Sequence, residues 1–460
     1  MDILAKLAKI TGREHVLEGD DTARYAHDST GKYNATPIAV VRPADTEQVS
    51  AIVKLANVTK TPIVPVSGNT GLVGGTYADG AVLISLERLN TIYEIRPDAR
   101  IAIVGAGAVI AAVQDAVEDY NLIFPLLFGA RSSAMIGGAL STNAGGSNVL
   151  RYGNTRALCF GIEVVTPSGE VMDLMSELHK DNSGYNLKDL FIGAEGTLGI
   201  ITKAVLKLFP KPSSYATAMV AVPSLTDALT LLNRLQNETA GAVEAFEVMP
   251  GIYMERHKAH FPDARPPFNA NYDVNILVEI ATTSPGMSVG GILETCLGGM
   301  LEDERVLDAV IAQNETQRAE MWQRREAAAE VTFAITPHVD SDICLAVDKV
   351  PDFFDLIAPR IDALDPDAGK MYVAHLGDGN IHFTVYPTRD DVDLAGQFIE
   401  EIEGVVKSLG GSFSAEHGVG LSKRPSMARR KDTVALNAMR QIKTALDPNN
   451  IMNPGKVLPD

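Results

Sequence analysis

Two glycine-rich stretches place the strongest limits on how this chain can fold. SGNTGLVGG at residues 67–75 follows IVPV, a short apolar run typical of a buried strand. MIGGALSTNAGGSN at residues 135–148 contains two further pairs of glycines. Glycine lets backbone N–H groups approach an anion closely. Either stretch alone also fits a tight turn without a ligand, but the two together favour a site for a large ligand that carries a pyrophosphate.

A third segment has the outline of a nicotinamide-nucleotide fingerprint. RIAIVGAGAVIAAVQDA at residues 100–116 predicts a strand, a Gly-x-Gly turn and a helix. The third small residue of the fingerprint falls at Ile110, and the acidic pair Glu118 and Asp119 comes too early to contact a ribose. We therefore expect no Rossmann-type site in this segment.

Imidazole and carboxylate groups are concentrated near the C-terminus, in HLGDGNIH and the later AEHG. A divalent ion such as zinc is typically held at a catalytic site by two imidazoles and one carboxylate, with a fourth position open. His375, His382 and Glu416 fit that requirement, and His417 is then available as a base. The glycines around Asp378 predict a tight loop between the two histidines. The alternative is ordinary polar residues at strand ends, but the clustering favours a divalent metal site, with zinc the first choice.

Length and charge narrow the class of protein further. A chain of 460 residues exceeds what one hydrophobic core usually supports, so at least two domains are expected. A net charge of -18 repels phosphate backbones and argues against nucleic-acid binding. Three widely spaced cysteines support neither a disulfide framework nor a thiolate site. Charged residues interrupt the N-terminal apolar run and no long apolar stretch follows, so we expect a cytoplasmic protein without a membrane span.

Six short motifs in a fixed order resemble those of a known family. They are SGNTGLVGG, IGGALSTNAGG, LFIGAEGTLGIIT, HLGDGNIH, SAEHGVG and DPNNIMNPGK. Together they resemble the signatures of FAD-linked oxidases of the vanillyl-alcohol oxidase type. More narrowly, they are similar to the D-2-hydroxyacid dehydrogenases, which include D-2-hydroxyglutarate and D-lactate dehydrogenases.

The resemblance implies an α+β fold in three parts. A two-lobed FAD-binding domain would cover residues 1–212, an α+β cap domain for the substrate 213–415, and a C-terminal helical segment that returns to the flavin 416–460. FAD would be bound non-covalently, because residues 67–75 contain no histidine or cysteine. The positions that the resemblance assigns to FAD are Ser67, Gly68, Asn69, Thr70, Gly71, Leu72, Gly74, Ile136, Gly137, Gly138, Thr142, Asn143, Gly145, Gly146, Gly196, Ile200 and Asn453, with Asn453 nearest the ring.

The implied activity is metal-assisted oxidation of a D-2-hydroxy acid to the 2-oxo acid. Hydride would pass to flavin N5, and the electrons would leave to an electron-transfer flavoprotein or a quinone. His417 would take the hydroxyl proton. Arg325 occupies the family position for the carboxylate anchor, and Arg324 is the less favoured neighbour. A homodimer is only a generic expectation.

Three positions depart from the pattern of enzymes that act on D-2-hydroxyglutarate. Those enzymes generally carry a threonine, a lysine and an asparagine where this chain has Ala329, Asp340 and Thr384. Aspartate in place of lysine reverses a charge near the substrate, so a hydroxy acid with a neutral, polar or cationic tail is the better hypothesis.

Two other classes remain open at this point. One is a non-redox FAD enzyme resembling alkylglycerone-phosphate synthase, whose flavin no hydroxy acid would reduce. The other is a flavin-binding protein without turnover. The full set of metal ligands and the base disfavours both.

Overall fold

A computed structural model describes residues 3–460, and the chain divides into two compact units. The first unit combines the chain up to Gly145 with Gly153–Lys211 and Glu416–Asp460. The second combines Gly146–Tyr152 with Pro212–Ala415. The C-terminal stretch therefore folds with the N-terminal part of the chain.

Helices and strands alternate irregularly along the sequence. The strands are β1 (Val16–Leu17), β2 (Ala39–Val41), β3 (Ile63–Val66), β4 (Val82–Ser85), β5 (Ile92–Arg96), β6 (Ile101–Gly105), β7 (Leu122–Ile123), β8 (Cys159–Val165), β9 (Val171–Leu174), β10 (Ile200–Lys207), β11 (Phe209–Pro210), β12 (Ser214–Val222), β13 (Val243–Pro250), β14 (Val274–Thr282), β15 (Asp308–Ile311), β16 (Val339–Cys344), β17 (Gly369–His375) and β18 (Asn380–Tyr386). The helices are α1 (Ile3–Thr11), α2 (Ala23–Ala26), α3 (Thr46–Thr59), α4 (Ile110–Glu118), α5 (Ile136–Thr142), α6 (Val149–Tyr152), α7 (Lys188–Phe191), α8 (Leu225–Glu238), α9 (Gly251–His260), α10 (Val289–Glu302), α11 (Glu315–Glu326), α12 (Ala328–Phe333), α13 (Val350–Leu364), α14 (Val392–Ser408), α15 (Arg424–Arg430) and α16 (Thr433–Leu446). Between residues 3 and 460, none of these helices is both long enough and apolar enough to cross a bilayer.

The first unit contains a four-stranded sheet in the order β1-β2-β4-β3 and a five-stranded sheet in the order β5-β6-β10-β8-β9. β2 and β3 both pair in parallel with β4, and α3 connects them. The carboxylate of Asp45 accepts a hydrogen bond from the N–H of Gln48 at 2.8 Å and so caps the start of α3. The apolar side of α3 packs into the core beside the buried strand β3, which leads directly into the loop 67–75.

Residues 100–116, which have the outline of a nucleotide fingerprint, form β6 and α4, as their pattern predicts. β6 nevertheless lies between β5 and β10 in antiparallel pairing. A Rossmann site requires a parallel β-α-β unit, so the structure agrees with the exclusion made from the sequence.

The C-terminal segment adds to the four-stranded sheet of the first unit at β3. Ile63 donates its N–H to the carbonyl of Ile451 at 2.8 Å, and Asn453 donates its N–H to the carbonyl of Ile63 at the same distance. Ile451 and Met452 are fully buried in the core with β2, β3 and β4. Residues 451–453 are thereby held next to the strand that precedes the loop 67–75.

The second unit is built on one antiparallel sheet in the order β15-β12-β14-β13-β17-β18-β16. One face packs against α8, α10, α13 and α14 through a large aliphatic core. The opposite face packs against α9, α11 and α12 through a smaller core that contains several methionines and Tyr253. The predicted α+β class is confirmed, and residues 214–222 and 274–282 pair as antiparallel strands.

Candidate functional site

The loop 67–75 presents a row of unused backbone donors. Within residues 3–460, the N–H groups of residues 68–73 find no hydrogen-bond acceptor in the protein. Asn69 has φ of 52° and Gly74 has φ of 69°, so the loop turns through left-handed conformations. Consecutive N–H groups in such a turn form an anion-binding concavity. This loop therefore fits the diphosphate of a nucleotide cofactor.

The two glycine-rich stretches lie side by side in the first unit. A Cβ atom on Gly68 would lie 2.2 Å from the carbonyl oxygen of Ser133, so no side chain fits there. A Cβ atom on Gly138 would come within 3.3 Å of the Cβ of Ser67. The close approach of two backbones explains why glycine is needed at position 68, whereas Gly138 lies against the Ser67 side chain.

Thr142 and Asn143 are engaged within the protein. The Thr142 hydroxyl donates to the carbonyl of Gly138 at 3.1 Å, and the side-chain oxygen of Asn143 accepts from the N–H of Arg156 at 2.9 Å. Asn143 also ends α5 with φ of 51°. These two side chains shape the turn. Of the remaining predicted contacts in this stretch, Ile136 and Gly137 lie on α5, and Gly145 and Gly146 lie at the limits of the first and second units.

Asn453 joins two of the predicted FAD segments. Its Nδ2 donates to the carbonyl of Gly75 at 3.0 Å and to the carbonyl of Glu195 at 2.7 Å. The side chain is buried, and its Oδ1 has no partner among residues 3–460. A buried carbonyl oxygen without a donor is costly, so a bound group with an N–H or O–H donor would fit here. Gly196 and Ile200 continue the same segment, and Ile200 begins β10.

Glu195 holds the turn that follows His417. The buried carboxylate of Glu195 accepts the N–H of Val419 at 2.7 Å and the N–H of Gly420 at 2.8 Å. Burial raises the pKa of Glu195, although the two backbone N–H groups oppose that effect. The chain just after the predicted base is thus fixed from within the first unit.

His375 and His382 meet on a β-hairpin in the second unit. β17 ends at His375, and β18 returns after a turn in which Gly379 has φ of 83°. The tight loop predicted between the histidines is therefore confirmed. Their imidazole centroids are 5.6 Å apart, and their nearest potential ligand nitrogens lie within 4.8 Å. The pair projects from one face of the sheet, since both residues share the same alternation on paired strands.

Asp342 is a third potential ligand that the sequence did not reveal. It lies on β16 directly opposite His382, and a carboxylate oxygen of Asp342 is within 4.8 Å of a His382 nitrogen. Asp342 is buried, and its Oδ1 accepts from Nδ2 of Asn380 at 3.0 Å. Asp342 lies next to His382 only because β16 pairs with β18, and no local sequence pattern predicts that pairing.

Glu247 is the other residue that sequence reasoning missed. Its buried carboxylate lies 2.8 Å from Nδ1 of His375 and 2.8 Å from Nε of Arg325. Burial alone would raise the pKa of Glu247, but His375 and Arg325 outweigh that effect and lower it. The only sequence signal was a pair of glutamates, Glu244 and Glu247, inside the otherwise apolar run VEAFEVMP.

The side chains of Arg325 and Arg324 contact different parts of the second unit. Nη2 of Arg325 lies 3.5 Å from Nε2 of His375, at the outer limit of a hydrogen bond. Arg324 instead donates to the backbone carbonyl of Arg265 at 2.5 Å. Both arginines are buried. Arg325 is therefore the guanidinium beside the histidine pair.

Asp340 and Thr384 lie on the same sheet face as Asp342 and His382, two residues away along β16 and β18. They are directly opposite each other on β16 and β18, and the Thr384 hydroxyl donates to Oδ1 of Asp340 at 3.1 Å. Each is two residues from Asp342 or His382, so all four share one face. Ala329 is exposed on α12.

Glu416 and His417 are both partly buried and begin the last stretch of the first unit. They directly follow Ala415, whose N–H donates to the carbonyl of Asp342 at 3.2 Å. The covalent chain therefore leaves the histidine-bearing sheet at this point.

Comparisons with known proteins identify the family of this chain. Residues 37–175 match the FAD binding domain, and residues 211–457 match the C-terminal domain of FAD linked oxidases. A D-2-hydroxyglutarate dehydrogenase of Xanthomonas citri pv. viticola is 34% identical over 450 residues, which covers 96% of this chain and 93% of that protein.

Two solved structures share the fold at low sequence identity. A p-cresol methylhydroxylase with substrate bound has a TM-score of 0.76 at 17% identity, covering 99% of this chain and 96% of its own. An alkyldihydroxyacetonephosphate synthase has a TM-score of 0.76 at 16% identity, covering 99% and 86%. At these identities the likeness concerns the fold alone.

Proposed function

We propose that this chain, which belongs to the FAD-linked oxidases, oxidises a D-2-hydroxy acid to the 2-oxo acid with the help of a divalent metal ion. Its similarity to D-2-hydroxyglutarate dehydrogenases and its FAD-oxidase domains support a FAD-dependent dehydrogenase. The observation that carries the proposal is the pair His375 and His382 on one sheet face, with the guanidinium of Arg325 beside them.

The first unit would hold FAD non-covalently. The unused N–H groups of residues 68–73 suit its diphosphate, and Asn453 offers a buried acceptor. When bound, FAD supplies the acceptor for a hydride from the substrate. The chain's own contribution is to hold the loop 67–75 next to the stretch that contains Glu195 and Gly196. Asn453 does this through the carbonyls of Gly75 and Glu195.

His375, His382 and Glu416 would hold the metal ion. Two imidazoles and a carboxylate suit zinc, and when bound such an ion polarises the substrate hydroxyl. Glu247 accepts from Nδ1 of His375 and leaves Nε2 as its ligating nitrogen. Asp342 is a further carboxylate at His382 and competes with Glu416 as the oxygen ligand.

The remaining steps belong to protein side chains. Arg325 would bind the substrate carboxylate through those of its N–H groups that Glu247 does not occupy. His417 would accept the hydroxyl proton as the hydrogen on C2 leaves with its electron pair. The substrate thus loses one proton and one hydride and becomes a 2-oxo acid. The two electrons then pass to an external acceptor, an electron-transfer flavoprotein or a quinone.

Asp340 and Thr384 would set specificity for the tail of the substrate. They form a hydrogen-bonded pair next to His382, and Asp340 brings a negative charge to that position. A second carboxylate on the substrate would be repelled there. We therefore propose a substrate with a neutral, polar or cationic tail in preference to hydroxyglutarate, with Ala329 providing no polar contact.

An anaerobic flavin spectrum tests this function. The purified protein is mixed with D-lactate, D-malate, D-2-hydroxyglutarate and longer neutral-tailed D-2-hydroxy acids, with and without a chelator. Bleaching of the flavin by a member of this series, abolished by the chelator, is the expected result. A flavin that none of them bleaches contradicts the proposed substrate class, and bleaching that survives complete metal removal contradicts the role of the metal.

A further inference from the structure

We propose that Glu247 is a positioning residue that orients the metal ligand His375 and the substrate anchor Arg325 at the same time. This proposal rests on the function proposed above, which assigns those two roles. Glu247 lies on β13, and its side chain is 1% exposed. It contacts neither a reacting atom nor, in the proposed site, the metal itself, so its action is indirect.

Hydrogen bonding to Glu247 determines which imidazole nitrogen of His375 carries the proton. An ionised carboxylate can only accept hydrogen bonds, so the Nδ1 of His375, 2.8 Å away, must be the donor. The other nitrogen, Nε2, then keeps its lone pair. Nη2 of Arg325 faces Nε2 at 3.5 Å, and because a guanidinium only donates, this contact requires the same tautomer. A metal ion bound at Nε2 would replace this long contact and leave Nη2 for the substrate. A metal ion would meet a correctly oriented nitrogen.

The same carboxylate fixes the plane of Arg325. Its Oε2 accepts from Nε of Arg325 at 2.8 Å, which leaves the Nη groups as the donors that remain for a substrate carboxylate. Glu247 also places a negative charge between two sites that would otherwise both be positive once a divalent ion is bound. Metal binding and substrate binding are therefore coupled through one side chain.

Glu279, a second buried acid on the same sheet, has only structural contacts. Glu279 on β14 is also buried and also pairs with α11, accepting from Nε and Nη2 of Arg318 at 2.6 and 2.7 Å. Its other donors are the Thr217 hydroxyl at 2.6 Å and Nε1 of Trp322 at 2.9 Å. No histidine contacts Glu279 among residues 3–460, so it is a matched control for Glu247.

The first test compares metal affinity in the FAD-loaded enzyme. Zinc is titrated against a chromophoric chelator for the wild type, Glu247→Gln and Glu279→Gln. We expect zinc to bind about 10- to 100-fold more weakly in Glu247→Gln, the range typical of a lost partner behind a ligating histidine, and unchanged within about threefold in Glu279→Gln. Equal losses in both variants, or no loss in Glu247→Gln, would overturn the proposal. Glu247→Asp, which keeps the charge, should recover part of the affinity and replaces Glu247→Gln if that variant does not fold.

A second measurement separates this proposal from the metal site itself. The ¹⁵N spectrum of histidine-labelled, metal-free protein reports the tautomer of His375, identified by the signal lost in His375→Ala. The wild type should carry the proton on Nδ1, and Glu247→Gln should lose that preference. A proton on Nε2 in the wild type overturns the positioning role. If the wild type shows the Nδ1 tautomer but binds no divalent metal, the orienting role stands and the metal in the proposed function fails.

Discussion

Nδ1 of His375 lies 2.8 Å from the carboxylate of Glu247, although 128 positions separate the two residues in the chain. The contact exists because β13 and β17 are neighbours in the sheet, where Glu247 and His375 are directly opposite. A carboxylate behind a ligating histidine is a recurrent arrangement in metal sites, where it sets the tautomer and raises the basicity of the ligand. The same carboxylate also accepts a hydrogen bond from Nε of Arg325. One position on β13 therefore contacts both the proposed metal ligand and the proposed substrate anchor.

His382→Ala should remove the bound metal and most of the turnover while leaving FAD bound. The reason is that the N–H groups and carbonyls assigned to FAD belong to other segments of the chain. Metal content by atomic emission and flavin content by absorbance check this on the same sample. His260→Ala is the control, because His260 is an exposed histidine of the same unit, paired with Glu330. Loss of FAD together with metal would refute the separation of the two sites.

Arg325→Met should raise KM for the hydroxy acid by more than about tenfold, since a charge-assisted bidentate contact is lost. It should also lower the free energy of unfolding by about 3–5 kcal/mol, because the buried Glu247 loses a partner. Arg318→Met removes a comparable ion pair from the same helix without touching His375. It should reduce stability and leave KM nearly unchanged. An unaltered KM in Arg325→Met would transfer the anchor role to Arg324.

Asp340→Lys should shift preference towards D-2-hydroxyglutarate by at least about tenfold in kcat/KM relative to a neutral-tailed hydroxy acid. Reversing a charge beside the substrate is worth up to about 4 kcal/mol per contact at 4 Å, before solvent reduces it. Steady-state kinetics with an artificial electron acceptor provide the ratio. Asp348→Lys makes the same charge change at an exposed turn of the same unit and should leave the ratio alone. If the ratio does not move in Asp340→Lys, Asp340 does not face the tail.

Asn453→Ala should weaken FAD retention and lower stability by about 2 kcal/mol, at roughly 1 kcal/mol for each of its two lost hydrogen bonds. Flavin release on dilution and the midpoint of urea unfolding measure these effects. Asn450→Ala is a close control, because Asn450 has φ of 49° against 41° for Asn453 and is exposed. Both changes strain a left-handed residue, but only the first removes interior contacts. Equal flavin loss in the two variants would assign the effect to backbone strain.

His257 should make the protein less stable as the pH falls from about 6.5 to about 4. Burial, then the positive charges of Arg324 and His260, lowers the pKa of His257 from 6.5 to about 4. In that window the unfolded chain binds a proton that the folded chain does not, so acid favours unfolding. His257→Phe keeps a ring beside Tyr253 and Phe261 and removes this contribution.

The urea midpoint measured at pH 7 and pH 4.5 tests this. The drop between the two pH values should be smaller in His257→Phe than in the wild type. His260→Phe removes only the last and smallest of the three causes and should reduce the drop by less. A drop of the same size in all three proteins would show that His257 does not carry the effect.

The local features were readable from the sequence because their chemistry lies within a few residues. The strand at 63–66 predicts where the loop 67–75 begins, and the glycines at positions 68, 71, 74 and 75 predict its sharp turns. His375 and His382 flank a short turn, so a hairpin alone brings their imidazoles together. The α+β class followed from motifs in order, each of which depends on neighbours in the chain.

Only the tertiary structure decided which residues surround those local features. Glu247 and Asp342 reach the histidines through the strand order β13-β17-β18-β16, and non-local strand pairing leaves no periodic mark in the sequence. Arg324 and Arg325 are adjacent in the chain, yet a helix turns by about 100° per residue, so only one can face His375. The sequence therefore determined the types of side chain in the proposed metal site and their local geometry. Packing of distant elements determined the partners that orient them, because burial and sheet register depend on the whole chain.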